Sequence, residues 1–176
     1  RGLGDVYKRQ VEVCRQVAEQ VDAGRKLQIY EELATKDMLT KLYNRNAYDE
    51  WIKVNRRPEK AKIIIFDLNN LKQCNDTMGH AAGDTYIQNA AQIILHVFGN
   101  CGNCYRIGGD EFCVVIQGND HSDMEDLFRH MRQEQDEFNA KNAIPQIQIA
   151  YGYAEFDPEI DRDIEDTRSR ADDKMS

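Results

Sequence analysis

The sequence predicts an α+β fold, with a mostly antiparallel central sheet and helices flanking it on one side. An unbroken apolar run at 61–68 is typical of a buried central strand. Two β-favouring runs, 104–107 and 112–116, are joined by a short Gly-Gly-Asp turn and indicate a hairpin. Helical patterns lie between and after these strands. The order from the first strand onward is β-α-α-β-β-α-β-α, which favours a split βαβ arrangement with a ferredoxin-like core.

The composition narrows the class of protein. The 176 residues suffice for one domain plus an appendage. The net charge of −8 argues against a nucleic-acid-binding surface. Since no run approaches a membrane span and no signal peptide is visible, we expect a cytoplasmic chain without membrane contact. Both ends read as fragment ends, and a non-native origin of the first ten residues stays open.

The cysteines are odd in number and scattered through apolar segments, which predicts free thiols in a reducing compartment. They are Cys14, Cys74, Cys101, Cys104 and Cys113. One C-x-x-C pair, 101–104, has no matching Cys or His pair. A turn is the expected role of this pair, with a zinc or redox site as the alternative.

Residues 1–36 form the appendage, with one long helix predicted from about residue 8. Val13, Val17 and Val21 follow helical spacing, which Gly24 interrupts before apolar residues resume. The heptads are too few to establish a coiled coil. Packing of this helix on its own domain and pairing with a second copy both stay open.

The next elements are short. Asp37 or Thr40 is expected to cap the segment after the helix break at 35–40. A helix is predicted over 45–55, and Asn44 and Arg45 before it are expected to make structural hydrogen bonds. After the first strand we predict a helical turn at 70–75.

A loop is predicted at 79–83, braced by His80, and then a helix to Phe98 that Asp84 or Thr85 caps. The later pattern predicts a helix over 122–141, a strand over 146–150 and a polar helix over 161–176.

The chemistry is expected at the hairpin turn, where Gly108 and Gly109 precede Asp110 and Glu111. Paired glycines supply the positive φ values that a tight reversal uses, and the acids can hold a cation. Asp67 lies near the end of the first strand. Carboxylates on a central strand and a neighbouring hairpin suit Mg²⁺ bound against nucleotide phosphates. The alternative for the turn alone is an ordinary exposed hairpin tip.

Three ordered motifs carry a resemblance to a known family. They are DMLTKLYNR at 37–45, FDLNNLKQCNDTMGHAAGD at 66–84 and RIGGDEF at 106–112. Together they resemble the GGDEF domain of diguanylate cyclases, enzymes that make the bacterial signalling molecule cyclic di-GMP from two GTP molecules. The resemblance implies a fold like the palm of nucleotidyl cyclases and polymerases. It covers 37–176, and the chain ends before the family's phosphate-binding lysine, so the domain is expected to be C-terminally truncated.

The resemblance also implies a metal and catalytic site. Asp67 and Asp110 would be ligands of Mg²⁺ or Mn²⁺, and the Leu68 carbonyl would add an oxygen. Asp110 and Glu111 would be the catalytic residues. Glu111 would help to bind the metal or take the proton of the attacking hydroxyl.

Substrate-binding residues come from the same match. Lys72 would meet the phosphates, Asn75 and Asp84 would recognise guanine, and the glycines at 108–109 would leave room for phosphate. One domain would bind one GTP, so catalysis would need a homodimer. The family commonly has an upstream sensor domain joined by a helix such as 8–36.

Two further expectations come from comparison with the family's pattern. The RxxD motif of product inhibition is absent, because Gly99 and Gly102 stand at its two charged positions. Feedback inhibition through that motif is therefore not expected. The alternative to an active cyclase is a weak or inactive module that binds GTP or cyclic di-GMP.

Overall fold

The structure is a computed structural model, which describes residues 2–120, 122–141 and 145–175. Within these ranges the side chains of 2–11, Cys14 and Ala18 are not described, so the expectation of a free thiol at Cys14 lies outside the described residues. The chain divides into a unit that ends at Thr35 and a second unit that begins at Lys36.

The first unit is a single helix, α1 (Gly2–Thr35). It runs without a break through Gly24, since one internal glycine costs only about 1 kcal/mol in a long helix. Several large apolar side chains along it are more than half exposed. These are Val13, Val17, Val21, Leu27, Tyr30 and Leu33.

The second unit has the predicted element order. Its helices and strands are α2 (Arg45–Val54), β1 (Ala61–Leu68), α3 (Leu71–Met78), α4 (His80–Phe98), β2 (Asn103–Arg106), β3 (Glu111–Gln117), α5 (Met124–Lys141), β4 (Ile149–Glu155) and α6 (Ile164–Asp172). In the described residues the strands form one antiparallel sheet in the order β2-β3-β1-β4. The predicted α+β class is confirmed.

Helices cover both faces of this sheet, so the prediction of helices on one side was wrong. Ile64 and Phe66 pack in one core with Phe98 of α4 and Phe128 of α5. On the opposite face, Ile63 and Ile65 pack in a second core with residues of α2 and α6. The uninterrupted apolar sequence of β1 is the signal for two covered faces, since a strand with one solvated face alternates.

The start of α4 differs from prediction. α4 begins at His80, because Gly79 takes a φ of +87° and separates it sharply from α3. The predicted loop at 79–83 and the cap at Asp84 or Thr85 were wrong, and His80 is the exposed first residue of the helix. The cap of α2 is Asn44, whose side chain accepts from the Ala47 amide at 3.0 Å.

The bounds of β4 and α6 also differ from the predicted bounds. β4 begins at Ile149, three residues later than predicted, and extends to Glu155. α6 is shorter than the predicted helix and packs closely over β4. A Cβ at Gly152 would lie 2.1 Å from the carbonyl oxygen of Ala171, so only glycine permits this approach.

The four cysteines with described side chains are free thiols, as predicted. Burial raises the pKa of the Cys104 thiol to about 12, which disfavours the thiolate that metal binding and redox exchange require. Among the described residues, no helix is both long and apolar enough to cross a membrane.

Candidate active site

The predicted acids converge where β1 ends beside β3. Asp67 is the cross-strand partner of Glu111. The Leu68 amide donates to the Asp110 carbonyl at 3.0 Å, which ties the hairpin turn to the end of β1. Because side chains alternate along a strand, Asp67 and Glu111 share the sheet face of Ile65, the face that α2 and α6 cover.

The turn itself closes on Glu111. The amides of Ile107 and Gly108 both donate to the Glu111 carbonyl, at 2.9 and 3.1 Å. Neither Gly108 nor Gly109 has a positive φ; among the described glycines only Gly79 and Gly118 do, so the predicted reason for the glycine pair was wrong.

The two turn glycines instead differ in the space around them. A Cβ at Gly108 would lie 3.1 Å from the Cβ of Glu111, whereas a Cβ at Gly109 would meet nothing within 4 Å. Gly108 therefore permits the close approach of Glu111, and Gly109 leaves open space in front of the turn.

Two arginines brace the turn from outside. The Arg106 guanidinium donates to the Gly109 carbonyl at 2.8 Å and pairs with Asp37 at 3.2 Å. Arg45 donates to the Ile107 carbonyl at 3.3 Å. Partial burial acts to raise the pKa of Asp37, but hydrogen bonds from Thr40 and the charge of Arg106 lower it overall. The 37–45 motif is thus structural support for the acidic turn, as expected for Asn44 and Arg45.

Negative charge accumulates on the α6 side of the sheet. The pKa of Asp67 is raised, first by partial burial and then by the charges of Asp110, Glu111 and Asp172. We call these four residues the acidic cluster. A carboxylate whose ionisation is opposed by its neighbours favours the binding of a cation.

One contact of this cluster was not predicted from the sequence. Arg168 of α6 donates from Nη2 to Glu111 Oε1 at 3.1 Å. The available signal was its position one turn from Ile164 and Ala171, both fully buried. An arginine on the buried stripe of a helix needs a partner for its charge.

Asn75 and Asp84, two of the predicted substrate-binding residues, lie on the adjacent helices α3 and α4. A Cβ at Gly83 would lie 1.8 Å from Asn75 Oδ1, so the Asn75 amide sits directly against the backbone beside Asp84. Asp84 is exposed, as is Lys72 in the first turn of α3. Asn70, with a φ of +64°, allows α3 to start almost directly after β1.

The donor set suits a hard divalent cation. Among the described residues, no three His, Cys, Asp or Glu side chains come close enough to hold a metal by themselves. Mg²⁺ commonly uses one or two carboxylates and completes its shell with substrate phosphates and water. Asp67, Asp110 and the Leu68 carbonyl supply oxygen donors of that kind.

The sequence of this chain is similar to that of known proteins. Residues 34–176 match the sequence profile described as diguanylate cyclase, GGDEF domain. Over 101 residues the chain is 36% identical to diguanylate cyclase DgcS of Shewanella oneidensis, an alignment that covers 53% of this chain and 34% of that protein. The chain thus spans about a third of the length of this curated relative.

Solved structures share the fold. The coiled coil and GGDEF domain of DgcB from Caulobacter crescentus, solved with c-di-GMP, aligns with a TM-score of 0.72 at 22% identity, covering 93% of this chain and 90% of that one. Diguanylate cyclase SiaD from Pseudomonas aeruginosa, solved with its activator SiaC, aligns with a TM-score of 0.68 at 22% identity. The alignment covers 98% of this chain and 70% of that one.

Proposed function

Because this chain belongs to the GGDEF domain family of diguanylate cyclases, we propose that it condenses two GTP molecules into cyclic di-GMP and releases pyrophosphate. One observation carries the proposal. Pairing of β1 with β3 places Asp67 opposite Glu111 and Leu68 beside Asp110, next to a turn with open space at Gly109.

The reaction is a nucleotidyl transfer that occurs twice. The ribose 3′-oxygen of one GTP attacks the α-phosphorus of the other, a new P–O bond forms, and the α–β anhydride bond breaks to release pyrophosphate. Its main barrier is electrostatic, because a triphosphate repels the nucleophile and charge builds on the leaving group. A divalent cation supplies the Lewis acid that neutralises this charge when bound.

The acids have distinct roles in this proposal. Asp67 and Asp110, with the carbonyl of Leu68, would hold Mg²⁺ or Mn²⁺. Glu111 would lie beside the cation and either contribute to its binding or take the proton of the attacking 3′-hydroxyl. The raised pKa of Asp67 supports the metal role, since a cation would relieve the repulsion among these carboxylates.

Other residues would bind the nucleotide. Lys72 would contact the phosphates as a point charge. Asn75 and Asp84 would recognise guanine, whose N1–H and N2–H₂ suit a carboxylate acceptor. Their shared position at the α3–α4 contact supports this assignment. Gly108 and Gly109 would leave room for phosphate.

Each domain would bind one GTP, so catalysis would require two copies that face each other. The exposed apolar side chains of α1 support pairing through that helix. We propose a cytoplasmic homodimer in which α1 connects the catalytic domain to an upstream sensor domain.

The test incubates the purified chain with GTP and Mg²⁺ and separates the products by chromatography. We expect cyclic di-GMP from the unmodified chain, none from Asp110→Ala, and unchanged yield from Glu125→Ala, an exposed acid on α5. GTP binding without product would instead support the alternative of a regulatory binding module. Absence of both binding and product would overturn the site.

A further inference from the structure

The carboxylate of Glu111 accepts a hydrogen bond from α6 and lies close to the hairpin turn. Its Oε1 accepts from Arg168 at 3.1 Å, and its Oε2 lies 3.4 Å from where a Cβ at Gly108 would be. The side chains of Arg168 and Glu111 are 28% and 30% exposed. Glu111 is therefore partly buried and tied to α6, in contrast to the exposed Asp110.

The guanidinium of Arg168 is partly buried. Its Nε is buried and has no hydrogen-bond partner, and its Nη1 lies 3.9 Å from Glu165 of the same helix. A buried donor without a partner is costly. In this domain the unsatisfied donor belongs to the guanidinium that contacts the acidic cluster.

Packing and hydrogen bonds fix the helix that carries Arg168. The buried Asp161 accepts from Thr167 Oγ1 at 2.8 Å and from Arg170 Nε at 2.8 Å. The close contact at Gly152 holds the end of α6 against β4. These contacts fix the position of α6, and with it the position of Arg168 relative to Glu111.

We propose that Arg168 is a positioning residue of the acidic cluster. It holds the Glu111 carboxylate in place and supplies the positive charge that offsets repulsion among the acids before a cation binds. The effect of Arg168 on turnover rests on the proposed function. Its effect on cation affinity comes from its charge alone and can be measured without turnover.

Two effects of opposite sign are expected from its removal. Without the guanidinium, a divalent cation meets less repulsion and binds more tightly. Without the hydrogen bond, the Glu111 carboxylate is free to turn away from its working position, and turnover slows. Simple loosening of the fold would weaken both cation binding and turnover.

The experiment compares Arg168→Met and Arg168→Lys with Arg170→Met in the full chain. Arg170→Met is the control for loosening of α6, because Arg170 lies on the same helix and pairs with Asp161 instead of Glu111. Mn²⁺ affinity is measured by calorimetry with a non-hydrolysable GTP analogue, and kcat and KM for GTP are measured separately. Thermal melting reports whether each variant folds.

We expect Arg168→Met to bind Mn²⁺ about two- to fivefold more tightly, because one nearby positive charge is lost. Its kcat should fall about tenfold, with KM for GTP changed less than about threefold. Arg168→Lys should keep the Mn²⁺ affinity and recover part of kcat. Arg170→Met removes a contact that holds α6 but keeps the Arg168 guanidinium, so it should melt at lower temperature and bind Mn²⁺ no more tightly than the unmodified chain.

Unchanged or weaker Mn²⁺ binding by Arg168→Met would overturn the inference, as would an equal change in Arg170→Met. If Arg168→Met does not fold, full kcat in a folded Arg168→Lys would also overturn it, since lysine cannot reproduce the guanidinium geometry. If the unmodified chain binds Mn²⁺ and the analogue but makes no cyclic di-GMP, the proposed function fails while the affinities still decide the role of Arg168.

Discussion

The carboxylate of Asp37 lies 3.2 Å from the guanidinium of Arg106, and both side chains are largely buried. The same guanidinium holds the carbonyl of Gly109 at 2.8 Å. A segment just after α1 therefore supports the turn that presents Asp110 and Glu111. The position of the proposed catalytic acids depends on a pair that would itself touch neither metal nor nucleotide.

Replacing Asp37 by alanine should disturb this support. The partly buried Arg106 would lose its charged partner, so we expect a loss of about 1.5–3 kcal/mol in unfolding free energy. Cyclic di-GMP formation should fall about tenfold as the turn loosens. Urea unfolding and initial rates check the two effects. Glu50→Ala, which removes an exposed pair with Lys53, is the control and should change stability by less than about 1 kcal/mol.

Asp67→Asn should stabilise the metal-free domain while abolishing activity. Because the pKa of Asp67 is raised, its ionised form is less favourable in the folded chain than in the unfolded chain. Like charges paired across strands cost a few tenths to about 1 kcal/mol, and the substitution removes one of them. The gain should be present at pH 7 and should shrink as the pH falls through the raised pKa and Asp67 becomes protonated.

Urea unfolding of the Asp67→Asn variant at pH 7 and pH 4, without divalent cations, measures this gain. Asp136→Asn on α5 is an exposed control. A destabilised Asp67→Asn at pH 7 would contradict the electrostatic account of the acidic cluster.

Asp161 should make the domain sensitive to acid. Hydrogen bonds from Arg170, opposed by burial and aided by the Asp157 amide and Thr167, lower the pKa of Asp161 from 3.8 to about 2. A lowered pKa contributes stability that is complete above the unfolded value and is lost as the pH falls through the folded value. We expect unfolding free energy to decrease between about pH 4 and pH 2.

The Asp161→Asn variant tests this assignment, because it cannot ionise. It should be less stable at pH 6 and should depend less steeply on pH between 4 and 2. Parallel curves for the two proteins would show that other carboxylates govern the acid transition.

The substitution Gly102→Asp, which would supply the aspartate of the RxxD motif, should not produce product inhibition. A Cβ at Gly102 would lie 2.6 Å from the carbonyl oxygen of Val115, so β3 leaves no space for a side chain. We expect Gly102→Asp to lose about 1–3 kcal/mol of stability, as overpacked sites do. Its affinity for cyclic di-GMP, measured by calorimetry, should not rise. Tight product binding by a stable Gly102→Asp variant would refute this expectation.

The element order was predicted from local patterns, and the meeting of Asp67 with Asp110 and Glu111 was predicted from the ordered motifs that resemble the GGDEF family. An apolar run ends near Asp67, and a turn between two strand-like runs carries the other acids. Arg168 lies outside these motifs, so its contact with Glu111 could not be found in this way. The start of α4 also escaped prediction, because Gly79 alone decides it through a positive φ.

The central position of β1 in the sheet has a consequence for folding. Asp67 pairs with Glu111 on one side and with Ala150 on the other, and both partners come much later in the chain. Such non-local pairings form slowly compared with helices. During synthesis, Asp67 emerges well before Glu111 and Arg168, so the proposed cation site cannot form until most of the domain has been made. Acquisition of Mn²⁺ affinity during refolding would therefore report completion of the sheet, a kinetic event later than helix formation.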